Sequence, residues 1–323
     1  MGGNDLVQWG TGCVLLFAVL SVWGVLLWPA IRTASRRSVH VRLGISLGRD
    51  DNPRYFAMQF LQAIQNGDHD KVAVGNLPAG SVSDIDLYMP LAAEVGISSI
   101  LRGVRGDGML TLGAETHVER WADAPTLLVG DHCTLPGRTT AERTLRLGKS
   151  ICFCRLYAPS IETFPVPHPV PADSPEPVPK TYELFAQNSA APVASSAQRH
   201  IYKKDLYIQK DTVVHGDIVC WGRVLVGAGA TVIGRIKSRK GIVCEAGVSI
   251  IGSLVSDRDV ALLIECFVSN VILAENAIRI GPYCRIGELS DPGSVCADQV
   301  ILAGGVKIHG AVVAKLLGFT KDS

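Results

Sequence analysis

This chain repeats itself in steps of eighteen residues, and that period limits what it can fold into more than any single side chain does. Gly216, Gly234 and Gly252 stand eighteen apart, and one more step lands on Asn270. Around these positions a hydrophobic–Gly–x–hydrophobic pattern recurs, as Ile233-Gly234-Arg235-Ile236 and Ile251-Gly252-Ser253-Leu254. With small slips it continues to Ile286-Gly287-Glu288-Leu289 and His309-Gly310-Ala311-Val312. Counted backwards past an insertion, Arg155, Gly137, Glu119 and Leu101 hold the same phase. One repeat of this length cannot bury its own apolar face, so neighbours must stack into a continuous core, which is a solenoid.

Alternation within the repeat selects strand over helix. Ten and eight residues before each marker come Leu206/Ile208, Val224/Val226, Ile242/Cys244, Val260/Leu262 and Val300/Leu302. In the first half the same columns hold Met109/Thr111, Leu127/Val129 and Leu145/Leu147. Period two is the signature of a strand that buries one face. Two residues after the marker lies a further apolar column of Ile218, Ile236, Leu254, Ile272, Leu289 and Val312, continued in the first half by Trp121, Thr139 and Tyr157. Gly, Asn, Asp and Ser between the columns, as in Gly227-Ala228-Gly229, supply corners. The expected fold is all-β: a β-helix solenoid with roughly 18-residue rungs. Each large aliphatic side chain in its ladders contributes roughly 1.5–3 kcal/mol by leaving water.

Thr11 to Ala30 carry no charge, long enough to span a bilayer as one transmembrane helix, with Trp9, Trp23 and Trp28 at interfacial positions. A cleaved signal would need a basic region before it, and only Asp5 is charged there. Arg32, Arg36, Arg37 and Arg42 follow, so the N-terminus is expected outside and the rest of the chain in the cytoplasm. The same arginines are membrane-proximal and attract anionic head groups. The net charge of +1 gives no global basic excess for nucleic acid. The nine cysteines form no CxxC pair; Cys152 and Cys154 share a strand face with no His or second pair near them in sequence, so thiols in a reducing compartment are expected rather than a metal site.

The organisation expected is a short tail over 1–10, the membrane helix over 11–30, a basic segment and amphipathic helix over 31–71, and a first β-helix block over 72–158. A Pro/Ala/Ser-rich insertion over 159–200 and a second block over 201–319 complete it. Phe56, Phe60, Leu61 and Ile64 set the helical spacing within 54–66, for a helix that caps or leads into the first rung or docks a partner. The insertion either loops out of one column or joins two, and its FPVPHPVP stretch is a spacer or a polyproline II ligand.

From Asp205 to about Lys315 the chain resembles the bactofilin domain, a polymer-forming cytoskeletal family of bacteria. The text DTVVHGDIVCWGRVLVGAGATVIGRIKSRKGIVCEAGVSIIGSLVS carries the resemblance, and GMLTLGAETHVERWADAPTLLVGDHCTLPGR carries it more loosely. The resemblance implies a right-handed β-helix that associates end to end into non-polar filaments at the inner membrane, without nucleotide, with cell-envelope or polysaccharide machinery as cargo. An uncapped last rung would template another copy, and Leu316, Leu317 and Phe319 are the candidate self-association end, or a cap over it. The chain departs from the family in its membrane segment, helical lead and second block.

Eighteen residues is also the rung of hexapeptide-repeat acyltransferases, which need a small aliphatic residue every six positions. Val226 and Val232 comply and Ser238 does not. His215 and His309, each before a marker Gly, are the only natural candidates for a general base, but they share a column with Ile233 and Ile251. The glycines at 227–229 serve a corner, and the pairs Asp84/Asp86 and Asp257/Asp259 are spaced like solvated surface residues. No catalytic residue, cofactor or metal is expected. The partners expected are a second copy of the chain, the bilayer and envelope proteins, with the acyltransferase and an accessory subunit of a membrane complex as the alternatives.

Overall fold

The computed structural model describes residues 52–66, 74–166 and 199–321, together with the backbone of 194–196. The chain divides into two units, Met1–Asn52 and Pro53–Ser323. Asn52 apart, the described residues belong to the second. Both apolar clusters lie wholly inside Pro53–Ser323, so the core of the described residues is complete without residues 1–52. The expected membrane helix over 11–30 and Arg32, Arg36, Arg37 and Arg42 lie outside the described residues. Among the described residues no helix is long and apolar enough to cross a membrane.

The fold is all-β, a solenoid of about 12 turns with rungs near 18 residues and one short helix. That helix, α1 (Tyr55–Gln65), precedes the first block. The block is built from β1 (Val82–Met89), β2 (Ala93–Val95), β3 (Ile100–Gly106), β4 (Met109–Leu112), β5 (His117–Val129), β6 (Thr134–Leu147) and β7 (Cys152–Thr163). β8 (Ala194–Ser196) and β9 (Arg199–Tyr202) form an antiparallel hairpin that opens the second block. β10 (Leu206–Ile208), β11 (Val213–His215) and β12 (Asp217–Cys220) make one turn of three strands. β13 to β23 repeat that turn between residues 224 and 286, and β24 (Gly293–Leu302) and β25 (Lys307–Thr320) close the block. Strand β7 runs five residues past the expected end of the first block.

In the second block the register is eighteen without slips as far as Ile272: Ile218 pairs Ile236, Ile236 pairs Leu254, and Leu254 pairs Ile272. The marker glycines are needed for room between rungs. A Cβ on Gly234 would collide with the Gly216 carbonyl, one on Gly252 with the Gly234 carbonyl, and both residues have positive φ. Next in the apolar column comes Val295, not Leu289. Leu289 sits 70% exposed in a loop that lengthens this turn.

The first block departs further from strict spacing. Ile100 pairs His117 and His117 pairs Thr134, steps of seventeen, so counting by eighteen misplaces side chains by one. The buried column is Leu110, Leu127 and Leu145, while Met109 faces solvent. Likewise Ala122 and Leu156 point inward and Trp121 and Tyr157 outward. The left-handed corner column holds Asp211, Gly229, Gly247, Glu265, Tyr283 and Gly305 in the second block, and Gly80, Ser98, Glu115, His132 and Ser150 in the first, where glycine is rarer. The corner signal is therefore weak in that half.

Helix α1 does not cap the first rung. It lies on the flank over β5, with Phe60 edge-on to Trp121 at 5.1 Å between ring centres and Arg138 over Phe56 at 5.3 Å. The outward column of Arg105, Asp123 and Thr140 runs beneath it. Asp123, 1% exposed, accepts hydrogen bonds from Arg54 at 2.8 and 2.9 Å and from Arg105 and Thr140. Arg54 also reaches Glu142 at 2.7 Å. Burial alone would raise the Glu142 carboxyl, but Arg105 and Arg54 outweigh it and hold the group below its ordinary value. A depressed carboxylate stabilises the fold above its ordinary pKa of about 4.3, and the contribution is lost as pH falls through the lower folded value. Arg54→Ala should cost about 2 kcal/mol at neutral pH, and this difference from wild type should shrink below about pH 4. Chemical denaturation at several pH values, followed by far-ultraviolet circular dichroism, checks both.

Candidate functional site: the seam and the two free ends

The two blocks meet through their last rungs. Strand β25 pairs antiparallel with β7, with Ile308 opposite Ile161, Val312 opposite Leu156, Val313 opposite Arg155 and Phe319 opposite Cys152. The pairing brings inward-facing residues together, so the core runs through the junction without a break. At Gly318 the rung narrows to a backbone, and a Cβ there would collide with the ring of Phe153 opposite. Phe153, 1% exposed, fills that space. One bulky ring facing one glycine keeps packing density constant where the blocks join.

Two threonines tie the seam reciprocally. Thr320 of the second block accepts from the Ile151 N–H at 2.8 Å and donates to the Gly148 carbonyl at 3.0 Å. Thr163 of the first block accepts from the Val306 N–H at 2.8 Å and donates to the Ala303 carbonyl at 2.8 Å. On the surface, Glu162 meets Arg146 at 3.1 Å and Lys307 at 3.3 Å. Burial would raise the Glu162 carboxyl, but Lys307, Ser160 and Arg146 reverse this and hold it low.

This geometry relocates the residues read from sequence as an open end. Phe319 lies on the paired edge of β25, and Leu316 and Leu317 lie in the register shift between Val313 and Gly318, exposed by 70% and 48%. They flank a junction within the chain. That edge is closed because β7 already occupies it. The reading missed the seam because its two strands are separated by more than 140 residues and their pairing has no local signature.

Among the described residues the N-terminal rungs of the two blocks lie at opposite ends of the column, and each has strand edge left unpaired, although β8 already covers β9 at the second. At one end Leu77 bridges Val95, and Val82, Leu91 and Ile97 are exposed by 75%, 75% and 56%. At the other, β11 pairs with β14 (Thr231–Ile233) on one side and, among the described residues, with no strand on the other. Val213 in β11 is 61% exposed.

The remaining candidates have structural surroundings. His309 is 7% exposed and donates from Nδ1 to the Pro159 carbonyl at 2.8 Å, inside the seam. His215 is exposed, and its carbonyl accepts from His200 Nε2 at 3.0 Å. Ser238 is buried, donates to the Gly222 carbonyl at 2.8 Å and accepts from the Gly241 N–H at 3.1 Å, so it braces a corner. Asp86 lies 3.8 Å from Arg102. The eight described cysteines, Cys152 and Cys154 included, are free thiols. Burial pushes Cys133 up to about 11 and Cys244 well above its ordinary value, so both remain protonated members of the core. Among the described residues no group of three or more His, Cys, Asp or Glu side chains is placed to hold a metal ion.

No family model, curated protein or solved structure matches this chain.

The seam makes a direct prediction. Gly318→Val places a branched side chain against the Phe153 ring and should destabilise the unit by about 1–3 kcal/mol. Adding Phe153→Ala should recover part of that loss, because the smaller residue vacates the space. Thermal melts of the two variants beside wild type measure it. Equal losses for Gly318→Val with and without Phe153 would contradict the packing described.

Proposed function

We propose that this chain is a self-associating scaffold of the bactofilin kind, held at a membrane by its N-terminal segment, that organises cell-envelope or polysaccharide machinery without turnover. The observation that supports this reading most is the antiparallel β7–β25 seam. It is an end-to-end contact between two solenoid blocks, made inside one chain by backbone pairing and a shared apolar core. A terminal rung of this solenoid is therefore a surface that another terminal rung can extend. With the C-terminal rungs used internally, association between copies falls to the two N-terminal rungs, where the edges left unpaired, including β11 but not the β9 edge that β8 covers, are templates for strand addition.

The uncharged stretch 11–30, followed by four arginines, supports the membrane side of the reading and an N-terminus facing out. The right-handed twist and the cargo rest on the resemblance alone. The departure from the family is the joining of two blocks, so that one polypeptide supplies what two copies of a single-block protein would.

The full chain in detergent should sediment as a concentration-dependent series of assemblies, visible as rods by electron microscopy. Placing lysines at the free edges, Val82→Lys with Val213→Lys, should reduce it to single particles, because charged edges block strand addition. Phe319→Arg, at the internal seam, should leave the rods in place. Rods that survive the edge lysines, or that vanish only with Phe319→Arg, would overturn the assignment of ends.

A further inference from the structure

We propose that one corner of the second block, built around Trp221, is a contact surface for an anionic lipid bilayer. This deepens the membrane side of the proposed function and does not depend on self-association.

The observation is a ladder across three consecutive rungs. Tyr202 pairs Cys220 and Cys220 pairs Ser238, so the residues that follow, Lys203, Trp221 and Arg239, stand one above another on the corner. Lys203 Nζ lies 5.6 Å and Arg239 Cζ 4.9 Å from the centre of the indole, one from the rung before and one from the rung after. Beside them, one residue on, are Lys204 and Lys240. All four cations are exposed, and among the described residues none forms an ion pair. The next rung places Asp257, Arg258 and Asp259 at this corner, which ends the run of positive charge, and the carboxylate that follows Lys204, Asp205, accepts a hydrogen bond from the Arg223 N–H at 2.7 Å.

A chain of net charge +1 has thus gathered positive charge at the corner nearest the open end of its second block. Like charges held this close repel one another, and an anionic surface relieves that cost. Two features favour a bilayer over nucleic acid. Trp221 is 42% exposed, but two cations, one from the rung on either side, already lie over its ring, which obstructs stacking by a base. A part-exposed tryptophan among lysines and an arginine suits the head-group layer, where amphipathic aromatics and basic side chains gather. The corner is also a convex ridge, bordered by the half-buried Ile201 and Val219, and a ridge meets a flat layer more readily than a strand that needs a groove. Lys203, Trp221 and Arg239 keep the eighteen-residue register, but they stand on a corner, outside the apolar columns that reveal the fold.

The test uses the unit Pro53–Ser323, whose core is complete and which lacks the uncharged stretch, so that any vesicle binding comes from the solenoid. It should co-sediment with phosphatidylcholine vesicles containing about one third phosphatidylglycerol, not with phosphatidylcholine alone, and salt should release it. Each cation at the surface is worth roughly fivefold in partitioning. Lys204→Glu with Lys240→Glu should therefore weaken binding at least roughly tenfold, with an unchanged melting temperature. Trp221→Ala should weaken it too. Arg143→Glu with Arg279→Glu, the same charge change elsewhere on the solenoid, should leave binding near wild type. Absence of binding to the anionic vesicles would overturn the proposal, as would equal loss in both double variants or tighter binding to single-stranded RNA than to vesicles. Sedimentation without vesicles, run in parallel, reads self-association separately, so either idea can fail alone.

Discussion

The rest of this structure depends on one run of backbone hydrogen bonds, the antiparallel pairing of β7 with β25. A solenoid block has two open ends, each an unpaired strand edge over an exposed core, and each costs stability or invites association. This chain closes two of its four such ends against each other. The inward ladder passes from Leu156 to Val312 and from Ile161 to Ile308 as though the rungs were consecutive. Phe153 opposite Gly318, and the reciprocal threonines Thr163 and Thr320, fit the two last rungs to each other specifically. Because the joined ends are both C-terminal, the ends not joined within the chain are both N-terminal, and the proposed self-association is assigned to them for that reason.

Helix α1 leaves those ends free. A helical lead before a solenoid is naturally read as a cap, but Arg54 and Phe60 draw this one onto the flank. There it covers Trp121 and a column of charged residues that would otherwise face water. The buried Asp123 is tolerable because it has three donors around it, since a buried carboxylate persists only when paired and hydrogen-bonded. The latch fixes the chain just after residue 52 to the side of the column. The Trp221 corner lies in the other block, and its exposed cations have no such cover among the described residues.

The second block was legible in the sequence and the first only in outline, for a physical reason. Where three short strands and three corners make each turn, as from β10 to β23, spacing is rigid and glycine marks the close approaches. Ile218, Ile236, Leu254 and Ile272 then fall where counting puts them. In the first block β5, β6 and β7 run for 13, 14 and 12 residues with register shifts in place of corners. A shift of one residue exchanges inside for outside, which is why Met109, Trp121 and Tyr157 were expected in the core and face outward. Leu289 failed for the related reason that its turn carries a loop. The seam and the latch were illegible because each joins residues that only the completed column brings together, whereas the basic ladder keeps the register but lies outside the apolar columns.

The end-to-end joining of the blocks is best tested by a distance along the column. Val82, Ile100, His117, Thr134 and Cys152 form one ladder, which crosses the seam to Phe319, Ile301, Arg279, Ala261, Val243, Leu225 and Tyr207. Eleven steps of about 4.8 Å separate its ends. Spin labels at Val82→Cys and Tyr207→Cys, in Pro53–Ser323 with Cys152, Cys154 and Cys296 replaced by serine, should give a pulsed dipolar distance of about 50 Å at high dilution. A distance of about 30 Å or less would mean that the blocks lie side by side, and would contradict the seam and the placement of the free ends that follows from it.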